Sequence, residues 1–137
     1  MRLSTRSRYG LRAICYMAEH VEDGYLPLSE IAANTNLPEN YLEQIIRLLK
    51  KDKLVDSTRG PKGGYMLTRP NSEITVGEII RTLEGQTKFC GCLEDGGHCD
   101  DKCSAYFAFH RIDEAINGAI NSITLETMVN QNLGDNR

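Results

Sequence analysis

The sequence predicts a mainly α-helical fold: a winged helix-turn-helix with a two-stranded wing, followed by a long C-terminal helix suited to dimerisation. Three observations carry that prediction. Two short amphipathic segments flank a tight turn at Asn34-Thr35-Asn36-Leu37-Pro38. A hairpin pattern follows directly, with Gly60-Pro61-Lys62-Gly63-Gly64 between two short strand-like runs. Beyond it, isoleucines recur at helical spacing through a stretch too long for the small domain ahead of it to cover.

The elements can be justified in order. From near Arg6, Leu11, Ile14, Cys15 and Ala18 follow the i, i+3, i+4, i+7 rule and define a face expected to be buried. Cys15 lies on that face and reads as a small core residue. Glu22-Asp23-Gly24 ends the segment. A second helix is expected over 29–34, with Leu28, Ile31 and Ala32 inward, and a third over 39–51, opened by Pro38. The third buries Leu42, Ile45, Ile46 and Leu49 and presents Asn40, Tyr41, Glu43, Gln44 and Arg47.

A short helix, a turn and a second helix form the unit that sends its second helix into the DNA major groove. The outward residues have the matching chemistry: amides pair with adenine, a carboxylate accepts from cytosine, and a guanidinium reads guanine. Any amphipathic surface helix also shows polar residues to solvent, so the hairpin is what sharpens the reading. Residues 54–59 and 65–68 alternate as strands, and the turn between them carries Arg59 and Lys62 on a projecting tip. Basic side chains there reach phosphates or a narrow minor groove.

A further helix is expected over 76–84 with Val76, Ile79, Ile80 and Leu83 inward, closed by Gly85. The long helix over 105–121 carries the stripe Ile112, Ile116, Ala119, Ile120 and Ile123, which predicts packing against a second copy in a symmetric dimer. A last helix is expected over 125–131. The chain therefore divides into a DNA-binding domain at 1–85, a cysteine-rich loop at 86–104, and a dimerisation helix with its tail at 105–137.

Composition narrows the class. Of 137 residues, 40% are hydrophobic and 26% charged, which suits a chain that buries a core. The net charge of −3 alone argues against a nucleic-acid partner, but its distribution is uneven. Residues 1–70 carry 11 Lys and Arg against 8 Asp and Glu, whereas residues 71–137 carry 5 against 11. The pattern shows neither a membrane span nor a secretory signal, so a cytoplasmic location is expected. Neither a phosphate-binding glycine loop nor a nucleophile–base set is evident, so an enzyme is not expected.

Four of the five cysteines fall in one stretch, Cys90-x-Cys92-x6-Cys99-x3-Cys103, with His98 inside it and His110 just beyond. In a cytosolic setting such a cluster points to a metal or redox site rather than to disulfides. Glycines and acidic residues fill the gaps, so the loop can wrap an ion or a cluster. Spacing alone leaves zinc, an iron–sulfur cluster and reversible thiol oxidation open. It also leaves room for a metal- or redox-handling protein that does not bind DNA.

Several blocks together resemble the IscR-type family of bacterial winged-helix regulators over nearly the whole chain. They are Met1-Arg2-Leu3-Ser4-Thr5 with Arg8-Tyr9-Gly10, then Tyr41-Leu42-Glu43-Gln44, and Arg59-Gly60-Pro61-Lys62-Gly63-Gly64-Tyr65. Val76-Gly77-Glu78-Ile79-Ile80 and Ile123-Thr124-Leu125 follow. The resemblance implies a homodimer on a partly palindromic double-stranded operator, acting as a repressor or dual regulator. It implies DNA contacts from Arg2, Ser4, Arg8, Tyr9, Asn40, Tyr41, Glu43, Gln44, Arg47, Arg59, Lys62 and Gly63.

It also implies an iron–sulfur cluster, 2Fe-2S rather than 4Fe-4S, with zinc as the runner-up. Cys92, Cys99 and Cys103 match the family's three cysteine ligands, and cluster state would tune DNA binding to iron–sulfur supply, nitric oxide or redox status. Two departures stand out. The Cys99-to-Cys103 gap is short for the family, and Tyr106 stands where some members place a histidine ligand. Arg8, which cannot ligate, stands where others draw a ligand from the partner chain. Cys90, His98 and His110 are the candidates for the fourth ligand, with Cys90 favoured because thiolate is the commonest ligand to such clusters. A related branch without a cluster senses cysteine metabolism through an enzyme partner; four clustered cysteines argue against it.

Overall fold

A computed structural model describes residues 2–85, 88–93 and 103–134. It contains, among the described residues, six α-helices and one antiparallel hairpin. None of these helices is long and apolar enough to cross a membrane.

Helix α1 (Thr5–Glu19) starts where the Ser4 hydroxyl accepts the Ser7 N–H at 3.1 Å, satisfying one of the free donors of the first turn. Its buried side is Ser7, Gly10, Ala13, Ile14, Met17 and Ala18. This corrects the expected face: Leu11 and Cys15 are only half-buried, at the edge of the core. The helix buries a serine and a glycine that a count of apolar residues passes over. Gly10 is needed there because a Cβ would stand 2.2 Å from Leu83 Cδ1. Burial and then the nearby Glu19 carboxylate push the Cys15 thiol up to about 11, so it stays protonated and unreactive.

Helix α2 (Leu28–Thr35) ends at Asn36 in the left-handed conformation, φ 55°, a geometry that asparagine tolerates. Pro38 then opens α3 (Glu39–Lys51), whose Leu42, Ile45, Ile46 and Leu49 are all buried as expected. Burying each such side chain contributes roughly 1.5–3 kcal/mol.

The hairpin pairs β1 (Val55–Thr58) with β2 (Gly64–Leu67) in the register Val55↔Leu67 to Thr58↔Gly64. A third piece of chain joins it: Leu26 and Tyr65 exchange both backbone hydrogen bonds, each at 2.8 Å. Gly64 makes that approach possible, since its φ is 155° and a Cβ would lie 2.2 Å from the Leu26 carbonyl oxygen.

Helix α4 (Val76–Glu84) is started by a reciprocal cap. The Thr75 hydroxyl accepts the Glu78 N–H while the Glu78 carboxylate accepts the Thr75 N–H. Helix α5 (Ser104–Ser122) is the longest described, and α6 (Leu125–Gly134) packs back on α1. Leu125 is fully buried in the same core as Ile14, Ile74 and Leu83. Its N–H donates to the Ile74 carbonyl, the Val76 N–H donates to the Ile123 carbonyl, and Thr75 and Thr124 form an antiparallel bridge. The C-terminal end of α5 is thus clamped at the start of α4.

Candidate nucleic-acid interface and cysteine segment

Three elements carry the exposed polar and basic residues of the candidate interface. The first three turns of α3 show Asn40, Glu43, Gln44 and Arg47 to solvent. Glu43 and Arg47 face each other across one helical turn at 3.6 Å, an exposed pair that contributes little to stability and leaves both groups available. The wing tip exposes Arg59 and Lys62. Its turn is closed by the Gly63 N–H donating to the Gly60 carbonyl at 2.9 Å. A Cβ on Gly63 would meet the Thr58 carbonyl oxygen at 2.5 Å, so this position shapes the tip.

The third element is the N-terminal end of α1, where Arg2, Arg6 and Arg8 are exposed and no acidic residue occupies the first turn. It is held beside α3 by aromatic packing. Tyr9 meets Tyr41 edge-on, and the Arg12 guanidinium lies 5.8 Å from the centre of the Tyr9 ring while donating to the Thr35 carbonyl. Tyr9 and Tyr41 are half-buried and pack against the core. Ser4 caps α1, and its N–H donates to Glu84 Oε1 at 2.8 Å. The sequence reading missed Glu84, because the contact joins residues 80 apart and no local pattern announces it.

Residues 88–93, the described start of the cysteine segment, pack against α5. The Phe89 N–H donates to Asp113 Oδ1 at 3.0 Å, Lys88 Nζ approaches Asp113 Oδ2 at 3.6 Å, and the Phe89 and Phe109 rings stand 6.4 Å apart. These contacts account for the burial of Asp113, the one buried side chain among the described residues of α5. Cys90 and Cys92 follow, both half-buried, Cys90 just ahead of and Cys92 within a short 3-10 turn (Gly91–Leu93) packed against α5. Cys103 is the exposed N-cap of that helix. All three are free thiols. Cys99 and His98 lie outside the described residues. Among the described residues, no three His, Cys, Asp or Glu side chains form a group able to hold a metal ion.

The donor set nonetheless fits an iron–sulfur cluster in its chemistry. The described cysteines are uncommitted soft ligands, and the N-terminus of α5 at Cys103 favours the negative charge of a thiolate-ligated group. His110 fits less well. It stands seven residues into α5 from Cys103, about 10 Å along the axis at 1.5 Å per residue. Its Nδ1 faces Glu114 Oε2 at 3.5 Å, in the turn further from the cysteines.

Much of the long helix is uncovered. Ile112 and Ile123 are 39% and 37% exposed, Phe107 is 72% exposed, and Ile116 and Ile120 are half-buried.

Comparison with known proteins agrees with this architecture. The family model Rrf2, described as an iron-dependent transcriptional regulator, matches residues 3–131. The chain is 37% identical over 132 residues to the HTH-type transcriptional regulator IscR of Klebsiella pneumoniae, covering 95% of this chain and 80% of that protein. It is 36% identical over 131 residues to IscR of Serratia proteamaculans, with the same coverage. Among solved structures, T. potens IscR superposes with a TM-score of 0.79 at 34% identity, covering 96% of this chain and 88% of that one. CymR, the global cysteine regulator of B. subtilis, superposes with a TM-score of 0.82 at 33% identity, covering 96% and 98%. These relatives are transcriptional regulators, not enzymes.

Proposed function

Because the chain belongs to the Rrf2 family of transcriptional regulators, we propose that it is a homodimeric, operator-binding repressor tuned by an iron–sulfur cluster. The observation that carries the DNA-binding part is the exposure of Arg2, Arg8, Arg47, Arg59 and Lys62 on or beside α1, α3 and the wing, with α1 tied to α3 by the Tyr9–Tyr41 contact. In this reading Asn40, Glu43 and Gln44 meet base edges, the arginines and Lys62 meet phosphates, and Tyr9, Tyr41 and the Ser4 cap hold the surface in shape. Gly63 keeps the wing tip tight enough to approach the duplex.

Cys92, Cys99, Cys103 and Cys90 would hold the cluster, of the 2Fe-2S type, through their thiolates. When bound, that group supplies a redox- and nitric-oxide-responsive centre. The chain's own part includes holding the start of the cysteine segment against α5, where Phe89, next to Cys90, meets Asp113 and Phe109. The uncovered isoleucine face of α5 favours a second copy as its partner, because an apolar stripe left in water is unfavourable. Residues 1–85 then grip DNA in the cytoplasm, residues 86–104 sense, and residues 105–137 join the protomers and return Leu125 to the first domain's core.

Anaerobic purification with iron, sulfide and absorption analysis tests the sensor. A brown protein with iron and acid-labile sulfide in equal amounts is expected. A colourless protein holding one zinc per chain and no sulfide would replace the cluster with structural zinc. Neither metal, with reversible oxidation of the thiols, would make it a thiol sensor. Titration of a duplex that the protein selects from a random pool tests the DNA reading in parallel, and absence of salt-dependent binding would leave a metal- or redox-handling protein.

A further inference from the structure

Glu84 is the last residue of α4, yet its carboxylate serves the start of α1. Oε1 accepts the Ser4 N–H at 2.8 Å and the Ser7 hydroxyl at 2.6 Å. Ser7 is fully buried and Glu84 half-buried, so these bonds sit in the seam between α1 and α4 rather than in open water. The seam is close-packed just beside them, where Gly10 lies against Leu83. Ser4 is the N-cap of α1, and Arg2, Arg6 and Arg8 stand exposed on either side of it. One turn further, Tyr9 touches Tyr41 of α3. On its other side Glu84 runs into Gly85, φ 83°, which opens the segment leading to the cysteines.

We infer that Glu84 is a positioning residue for DNA binding: it anchors the capped start of α1 so that Arg2, Arg6 and Arg8 stand where the duplex backbone passes beside α3. The inference rests on the DNA-binding reading above. Its physical basis is order. Arginine side chains carried on a loose chain end must be immobilised on binding, whereas a fixed helix start has met part of that cost beforehand. A charge-assisted hydrogen bond to a backbone N–H is a strong means of fixing it. Because Glu84 is also the residue before Gly85, it is the point at which the chain leading to Cys90 meets the arginine-bearing end of α1.

The alternative reading has the opposite sign. If Glu84 merely placed negative charge near phosphates, removing that charge would tighten binding. The test uses the full chain and a duplex that the wild-type protein selects from a random pool, with affinity measured against salt concentration. Glu84→Ala is expected to weaken binding about tenfold at low salt and to lower the slope of log affinity against log salt by about one, the loss of about one phosphate contact. Glu84→Gln retains one carbonyl acceptor for Ser4 and is expected to fall between Glu84→Ala and wild type, so it carries the test should Glu84→Ala unfold.

A variant with Arg2, Arg6 and Arg8 all changed to alanine supplies the readout that a general loss of stability would not move. On that background Glu84→Gln should lower the slope no further, while Arg59→Ala still should. An unchanged slope, tighter binding, or an equal loss of slope on the arginine-free background would each overturn the inference while leaving DNA binding intact. Absence of salt-dependent binding by the wild-type protein would remove the DNA-binding reading itself.

Discussion

The ring of Tyr9 meets the ring of Tyr41 edge-on, with centroids 5.8 Å apart and planes at 77°. That contact joins α1 to the first turn of the helix that carries Asn40, Glu43, Gln44 and Arg47. An edge-on aromatic pair contributes about 0.5–1.5 kcal/mol beyond its buried area. Tyr9→Leu should therefore cost about 1 kcal/mol in urea denaturation and weaken DNA binding under conditions where the protein remains fully folded. Tyr41→Phe keeps the ring and should leave stability near wild type; equal losses in the two variants would argue that the phenol oxygens, not the rings, matter.

The wing should be sensitive at its base. A methyl group at Gly64 would collide with the Leu26 carbonyl oxygen and strain the backbone. Gly64→Ala is expected to cost about 1–3 kcal/mol, the usual range for forcing extra atoms into a packed site. It should also break the Leu26–Tyr65 bridge, so amide exchange at those two positions should accelerate while α3 stays protected.

The last helix belongs energetically to the first domain. Leu125→Ala empties a fully enclosed position and should cost about 2–5 kcal/mol in a single unfolding transition. Ile123→Ala, two residues earlier and 37% exposed, should alter self-association in sedimentation more than it alters unfolding of the protomer. A separate early transition for α6 in the Leu125 variant would contradict a shared core.

Acid should act through two carboxylates. Hydrogen bonds from Ser4 and Ser7 hold Glu84 below the usual carboxylate range, with Arg6 adding to the effect. Burial pushes Glu78 up, but the Thr75 backbone N–H and the Arg69 guanidinium, 2.7 Å away, outweigh it and bring it down. For both groups the folded value lies below the unfolded one. Their contribution is complete above the ordinary glutamate value of about 4.3 and is lost as pH falls through the lowered folded values. Melting temperature should be insensitive to these groups between about pH 6 and 8 and should fall below about pH 4. In Glu84→Gln that acid-side fall should be shallower.

The cysteines should separate by substitution. Cys92→Ser and Cys103→Ser should abolish bound iron after anaerobic purification, and Cys90→Ser should destabilise or abolish it. His110→Ala should retain colour and iron, since its ring pairs with Glu114 on the far side from the thiols. Loss of iron in His110→Ala with retention in Cys90→Ser would reverse the assignment of the fourth ligand.

What the sequence made legible follows the physics of local signals. Helices α3 and α4 have the bounds that periodicity predicts, because each carries a complete apolar face and a local boundary signal, Pro38 at the start of one and Gly85 at the end of the other. The wing was legible from Gly60 to Gly64, since a turn declares itself in glycine and proline. Leu26 joining the hairpin was not, because a single bridge has no period to detect. The buried face of α1 was read one step round the helix, toward Leu11 and Cys15, because Ser7 and Gly10 are buried for contact with Glu84 and Leu83 rather than for hydrophobicity. Of the candidate interface, residue types at exposed positions were readable, but the contacts that aim them, Tyr9 on Tyr41 and Glu84 on Ser4, depend on chain segments far apart in sequence.

Helix α5 has one end clamped and the other bearing a cysteine. Near its C-terminus the chain is stitched to the start of α4 through Thr124, Ile123 and Leu125, while Cys103 caps the opposite end. Its 19 residues make a rod of about 28 Å at 1.5 Å per residue. A rod pivoting at one end turns small angles into large displacements: a tilt of about 5° moves the far tip by about 2.5 Å at that length. Read in the other direction, an ångström-scale rearrangement among the thiols reaches the core as a rotation of only a degree or two. A stiff α5 would thus pass any shift at Cys103 to its clamp on α4 as a small rotation rather than as a displacement.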